Sequence, residues 1–124
     1  MIEVKLIRSP SPKHKFRVIF RTGRYVDFGG RGYSDYTLHK TPERMRLYVQ
    51  RHGGSIPAPV LKESRPGKIQ SGMLAVDTSR KELWTAAGVG TAGFWSRWLL
   101  WSYPTLDDAK KYISKRFKIK FTNV

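Results

Sequence analysis

The sequence predicts an α+β fold: a small antiparallel sheet of N-terminal strands and a hairpin, with a C-terminal edge strand, packed against about three short helices. Three observations point to it. Residues 2–7 and 16–21 alternate apolar and polar with a period of two, and 24–28 follow a short turn as a returning strand. Residues 41–52 and 105–117 place apolar residues at helical spacing behind helix-start signals. Residues 94–101 crowd Phe94, Trp95, Trp98, Leu99, Leu100 and Trp101 into one stretch. The 124-residue length suits a single domain over 1–124, with a long extended arm or insertion at 53–90.

In IEVKLI (2–7), Ile2, Val4 and Leu6 fall on one side of a strand. Ser9-Pro10-Ser11-Pro12-Lys13-His14-Lys15 then reads as a basic turn between strands. FRVIFR (16–21) sends Phe16, Val18 and Phe20 inward and Arg17 and Arg21 outward beside Ile19. Thr22-Gly23 is the turn, and RYVDF (24–28) the returning strand, with Arg24 at its start. Gly29-Gly30-Arg31-Gly32 follows, either a structural turn or a backbone cradle for an anion assisted by Arg31. Its spacing matches neither a P-loop nor a dinucleotide fingerprint.

Thr41-Pro42-Glu43 supplies an N-cap, a first-turn proline and an acid at the positive end of a helix dipole. Met45, Tyr48, Val49 and His52 form the inward stripe, and Gly53-Gly54 ends the helix. Residues 53–78 hold three prolines and four glycines with scattered apolar residues and no periodicity, so they read as a long loop, an extended arm that packs on a neighbour or on its own core. Ser79–Ala87 reads as a short helix around Leu83 and Trp84. The aromatic stretch then forms a helix over 94–101, capped by Thr91 and stopped by Pro104. Phe94, Trp98 and Trp101 share one face; Trp95 and Leu99 share the next, interrupted only by Ser96 and Arg97. A helix apolar nearly all round belongs in a core. Its four large aromatics carry roughly 15–25 kcal/mol of gross burial energy, an upper bound before chain entropy. Thr105 caps the last helix, with Asp107 and Asp108 in its first turn and Lys115 and Arg116 late. Leu106, Ala109, Ile113 and Phe117 face inward. Phe117–Phe121 alternates again, as an edge strand guarded by Lys118 and Lys120.

Charge is the outlier of the composition. Lys and Arg number 24 against 9 Asp and Glu, a net charge of +15 with a pI near 10.5. That excess favours an anionic partner, nucleic acid or an acidic protein surface. The candidate contacts are Lys13, Lys15, Arg17, Arg21, Arg24, Arg31, Lys40, Arg44 and Arg51; the candidate structural core is Phe94, Trp95, Trp98, Trp101 and Tyr48. With no cysteine there is neither a disulfide nor a thiolate metal site. His14, His39 and His52 have no second ligand at metal-binding spacing, and no nucleophile elbow or triad accompanies Ser34-Asp35. The expectation is therefore no catalytic set, no metal, no cofactor and no small-molecule substrate. A nuclease, the remote alternative, would need a carboxylate cluster for Mg²⁺. MIEVKLIRSP has no apolar run of signal-peptide length and no stretch reads as a membrane span, which suits a soluble, intracellular protein or one assembled into a particle.

GYSDYT (32–37), His39-Lys40, Glu43-Arg44, Arg51-His52, TAGFWSRWLLW (91–101) and Pro104-Thr105-Leu106, preceded by Phe28-Gly29, resemble motifs of small basic proteins encoded by large nucleocytoplasmic DNA viruses. The departure is Gly53–Gly90, which such proteins replace by a much shorter link. The resemblance supplies no catalytic residues. It implies a non-enzymatic viral structural protein, a minor capsid or core-associated component of the virion. Such a protein would be found in the host cytoplasm or nucleus during assembly, with other virion (capsid) proteins as partners and DNA as a further one. The alternative reading is a nucleic-acid-binding accessory protein that contacts phosphates without sequence preference.

Overall fold

The computed structural model describes residues 1–122. The fold is α+β, with a four-stranded sheet in the order β3-β2-β1-β4. β1 (Ile2–Arg8) pairs antiparallel with β2 (His14–Phe20), and β2 with β3 (Tyr25–Gly30). β4 (Ile119–Phe121) lies parallel to β1, with Ile2 opposite Ile119 and Val4 opposite Phe121. The sheet is therefore mixed, where a purely antiparallel one was expected. Side-chain alternation is the same for either direction, so the tail's pattern shows a strand without showing its sense. The direction is set by helix α6 (Leu106–Phe117). It returns the chain to the start of β1, and Lys118, with φ 57° in the left-handed region, turns it straight into β4.

One face of the sheet is covered. Val4, Val18 and Phe28 are buried there, with Leu6, Phe16, Phe20 and Val26 packed against the same core. Alternation places Lys5, Ile7, Arg17, Ile19, Arg21 and Tyr25 on the opposite face, where Ile7 and Tyr25 are exposed.

The covering layer centres on the aromatic stretch, which is not one α-helix. Thr91 caps a single turn, α5 (Ala92–Trp95), and the chain then widens into a π-helical turn over Ser96–Leu100. Phe94, Trp95, Trp98, Leu99 and Leu100 are buried; Trp101, past the end of the π turn, is half-buried. Arg97, expected to interrupt the apolar surface, is itself buried with no exposed area. Leu100 packs against the sheet at Gly29, where a Cβ would stand 2.8 Å from Leu100 Cδ1. Gly29 also has φ 76°, so only glycine suits this position on both counts.

α1 (Tyr36–His39) is one turn capped by Asp35. α2 (Pro42–Arg51) buries Met45, Tyr48 and Val49, while His52 caps its end. Thr41 occupies the N-cap position but accepts no bond from the helix; its hydroxyl donates to His39 O instead. Thr105 caps α6 by accepting from Asp108 N, and Ala109 and Ile113 are its buried residues.

Residues 53–90 pack on the protein's own core and are partly helical rather than extended. They hold α3 (Ala58–Leu61) and α4 (Pro66–Met73), and they bury Ile69, Met73, Val76 and Trp84. Proline lies in the first turn of both helices, a favourable position that reads as a loop signal when the helices are this short. No helix spans Ser79–Ala87; Thr78 bridges Leu83 and a 3-10 turn covers Ala86–Gly88. Side chains from the rest of the fold clamp the segment by its carbonyls. Arg46 donates to Val60 O and Glu63 O, Trp98 Nε1 to Trp84 O, and Trp95 Nε1 to Val89 O. Arg97 donates to Met73 O and Val76 O, and Arg116 to Leu74 O and the Asp77 carboxylate. Buried backbone acceptors need partners, and this chain supplies them from arginine and indole N–H groups. No helix among the described residues is long and apolar enough to cross a membrane.

Candidate nucleic-acid interface

The nine basic residues singled out by sequence divide into two groups. Lys15 Nζ is 2.6 Å from the buried Asp35 carboxylate. Arg17 makes a two-pronged pair with Asp27, at 2.8 and 2.9 Å. Arg31 donates to His14 O and Ser9 O, fastening the β1–β2 turn, and Lys40 donates to Thr37 O and Pro104 O. These four are committed to the fold. Of the two readings of residues 29–32, these contacts favour the structural turn: Arg31 is engaged by carbonyls and Gly29 serves packing.

The other five face solvent. Arg21 reaches Glu3 at 3.2 Å but keeps 84% of its side chain exposed, and a surface pair of that kind holds its partner weakly. Lys13, Arg24, Arg44 and Arg51 are exposed, and their side chains make no hydrogen bond or ion pair among the described residues. They do not form one patch. Lys13 is in the β1–β2 turn, Arg21 and Arg24 at the β2–β3 turn, and Arg44 and Arg51 on α2.

The structure adds Lys5, Tyr25 and Lys120. Across the open face of the sheet, Lys5 lies opposite Ile19, which lies opposite Tyr25. Lys120 lies opposite Glu3. Tyr25 is 56% exposed, although the Arg17 guanidinium sits 3.7 Å from its ring centroid. Its signal is present in RYVDF, because alternation that sends Val26 and Phe28 inward must send Tyr25 outward.

A chain of contacts fixes this aromatic. Ser9 Oγ donates to Asp27 at 2.7 Å, Asp27 holds Arg17, and Arg17 covers one face of Tyr25. The Arg17 hydrogen bonds, helped by Ser9, hold the Asp27 carboxyl down at about 2. The same pairing raises the Arg17 pKa. Both groups are therefore charged at neutral pH.

Two clefts meet at the β2–β3 turn. One, of about 460 Å³, is lined by Ile2, Phe20 and Val26 with Arg21, Arg24 and Tyr25 around them. The other, of about 510 Å³, includes Lys5 and Ile19 and shares Glu3, Phe20 and Arg21 with the first. Among the described residues, Glu3 is the only carboxylate lining either. Elsewhere, Glu82 and His52 pair at 3.1 Å, and the nearby Ser79 hydroxyl donates to His52 O and accepts from Glu82 N. Among the described residues no three or more His, Asp or Glu side chains gather in a group that could hold a metal ion.

The aromatic candidates lie away from these clefts. Phe94, Trp95 and Trp98 have no exposed surface, Tyr48 is buried, and Trp101 stacks on Tyr48. Among the described residues the exposed aromatics are Tyr25 and Tyr33.

No curated protein and no solved structure matches the chain. Residues 4–52, from β1 through the end of α2, match the model of a family of unknown function (DUF5754).

Proposed function

We propose that this protein is a non-enzymatic structural protein that contacts nucleic acid, binding phosphate backbones without sequence preference through its exposed lysines and arginines. The observation that carries this reading is the charge that remains after internal pairing. The net charge is +15, and Lys13, Arg24, Arg44 and Arg51 have no anionic partner among the described residues. Folding a chain against its own positive field is unfavourable, and a polyanion relieves that repulsion while releasing its own counterions.

The motifs at 28–52 and 91–106 favour a viral setting, as a minor capsid or core-associated component touching the packaged genome. The folding of 53–90 onto the core moves that reading away from an arm reaching for neighbours and toward contact by the surface.

Fluorescence anisotropy with labelled duplex and single-stranded oligonucleotides, over a series of salt concentrations, tests the binding. The expected result is a steep negative slope of log affinity against log salt, close to one per phosphate neutralised. Absence of binding at low salt would overturn the proposal. Mass spectrometry of purified virions tests the setting, which absence of the protein from particles would remove.

A further inference from the structure

The cleft at the hairpin end is built unlike a patch that serves only to neutralise phosphate. A patch of that kind needs cations and nothing else. Here Ile2, Phe20 and Val26 line a cleft of about 460 Å³, with an exposed tyrosine and two arginines beside it. That volume is ample for one nucleobase. Arg21 and Arg24 flank the β2–β3 turn, and the second cleft carries the surface on toward Lys5 and Ile19.

We propose that this end of the sheet binds single-stranded nucleic acid, with one unpaired base against Tyr25 and the cleft, and the flanking phosphates on Arg21, Arg24 and Lys5. The proposal rests on the polyanion reading above and names the form of nucleic acid that this site takes.

Three features support a single strand over a duplex. In a duplex the base faces are stacked and paired, so neither the tyrosine nor the apolar lining would find a partner there. Tyr25 is also held in place before any ligand arrives, because the Ser9–Asp27–Arg17 chain fixes the guanidinium that covers one side of its ring. The residue as a whole keeps 56% exposure, so it offers aromatic surface to a base at little ordering cost. Finally, Glu3 would repel phosphate but not a base. Paired with Arg21 and lining both clefts, it offers a carboxylate acceptor to an exocyclic amino group.

The test compares a labelled single strand with a duplex of equal length, at salt near physiological, for the wild type and four variants. Tyr25→Ala weakens single-strand binding by roughly ten-fold, and Tyr25→Phe retains most of it. Neither changes duplex affinity. Arg24→Glu lowers single-strand affinity further and reduces the salt slope; it reads the same site should Tyr25→Ala fail to fold. Lys68→Ala, exposed on α4, is the control and leaves the single-strand preference intact.

Wild-type affinity for single strands with Tyr25→Ala and Arg24→Glu unaltered would overturn this site while leaving the polyanion reading standing. A duplex preference in the wild type would do the same. Failure of the wild type to bind either form would overturn both.

Discussion

Tyr48 and Trp101 lie face to face, with ring centroids 4.2 Å apart and planes 3° from parallel. His52 stacks on Tyr48 at 4.1 Å, so a three-ring pile joins the end of α2 to the end of the π turn. Desolvation raises the Tyr48 pKa, which keeps its hydroxyl neutral. Tyr48→Ala is expected to cost roughly 3–5 kcal/mol, as for other large buried aromatics. A double-mutant cycle with Trp101→Ala should show a coupling of about 0.5–1.5 kcal/mol beyond the single losses. Urea unfolding followed by tryptophan fluorescence measures all three; zero coupling would mean that the rings are adjacent without interacting.

Arg97 should be among the most sensitive positions. It donates to the carbonyls of Trp101, Met73 and Val76, and its guanidinium sits 4.4 Å from the Trp98 ring centroid. Burial pushes its pKa down to about 10, which still leaves it charged at neutral pH. Arg97→Ala strands those acceptors and opens a cavity, and should cost at least about 3 kcal/mol. Arg97→Lys should not restore the loss, because an ammonium lacks the planar fork that spans the set. Hydrogen exchange should show residues 73–76 released in both variants. A stability close to wild type for Arg97→Lys would refute the geometric argument.

Gly29 and Gly23 separate packing from backbone strain. Both have positive φ, 76° and 92°, but a methyl added at Gly29 would meet Leu100 and Lys15, whereas one added at Gly23 would meet nothing within 4 Å. Alanine should cost about 1 kcal/mol at Gly23 from conformation alone. At Gly29 overpacking should add about 1–3 kcal/mol more. Thermal unfolding of the two variants checks the order, and equal losses would count against the contact.

Acid should weaken the open face of the sheet in a defined window. The Asp27 carboxyl, ordinarily near 3.8, is held at about 2, chiefly by the Arg17 hydrogen bonds. A carboxyl that is a stronger acid in the folded chain stabilises it in the ionised form. The contribution is therefore complete above the unfolded value and disappears as pH falls toward about 2. Asp27→Asn should be less stable than wild type at neutral pH, with the gap closing as acid is added. A gap in urea midpoint that ignores pH would assign the loss to something other than the pair.

Basic residues should differ in kind according to where their nitrogens point. Arg31→Ala removes the clamp on Ser9 O and His14 O and should cost about 1–3 kcal/mol. Arg44→Ala, exposed on α2, should leave stability within about 0.5 kcal/mol. Paired denaturation curves decide it; equal effects would undo the division into committed and open cations.

Much of the fold can be read directly from the chain. Alternation in IEVKLI and FRVIFR identifies the inner face at Val4 and Val18, and Thr105 with Asp108 marks the start of α6. Alternation carries no strand direction, however, so the parallel pairing of Ile2 with Ile119 lies outside its reach. The π turn is hidden because Phe94, Trp98 and Trp101 suit an α-helical spacing equally well. Arg97 misleads because arginine on a helix normally means solvent, and the carbonyls that draw it inward come from residues 73 and 76. The candidate interface follows the same logic. Lys15 and Arg17 find Asp35 and Asp27 only through the folded hairpin, so nothing local separates them from Arg24.

The pairing of β4 with β1 also governs how the molecule is made. Ile2 meets Ile119 across nearly the whole chain, the kind of remote closure that slows folding. As the chain emerges from a ribosome, β1 and the hairpin can associate early, but one edge of β1 stays bare until residues 119–121 follow. Nascent chains stalled before that point would present an uncovered, partly apolar strand, and are expected to aggregate or to recruit chaperones more than the finished protein.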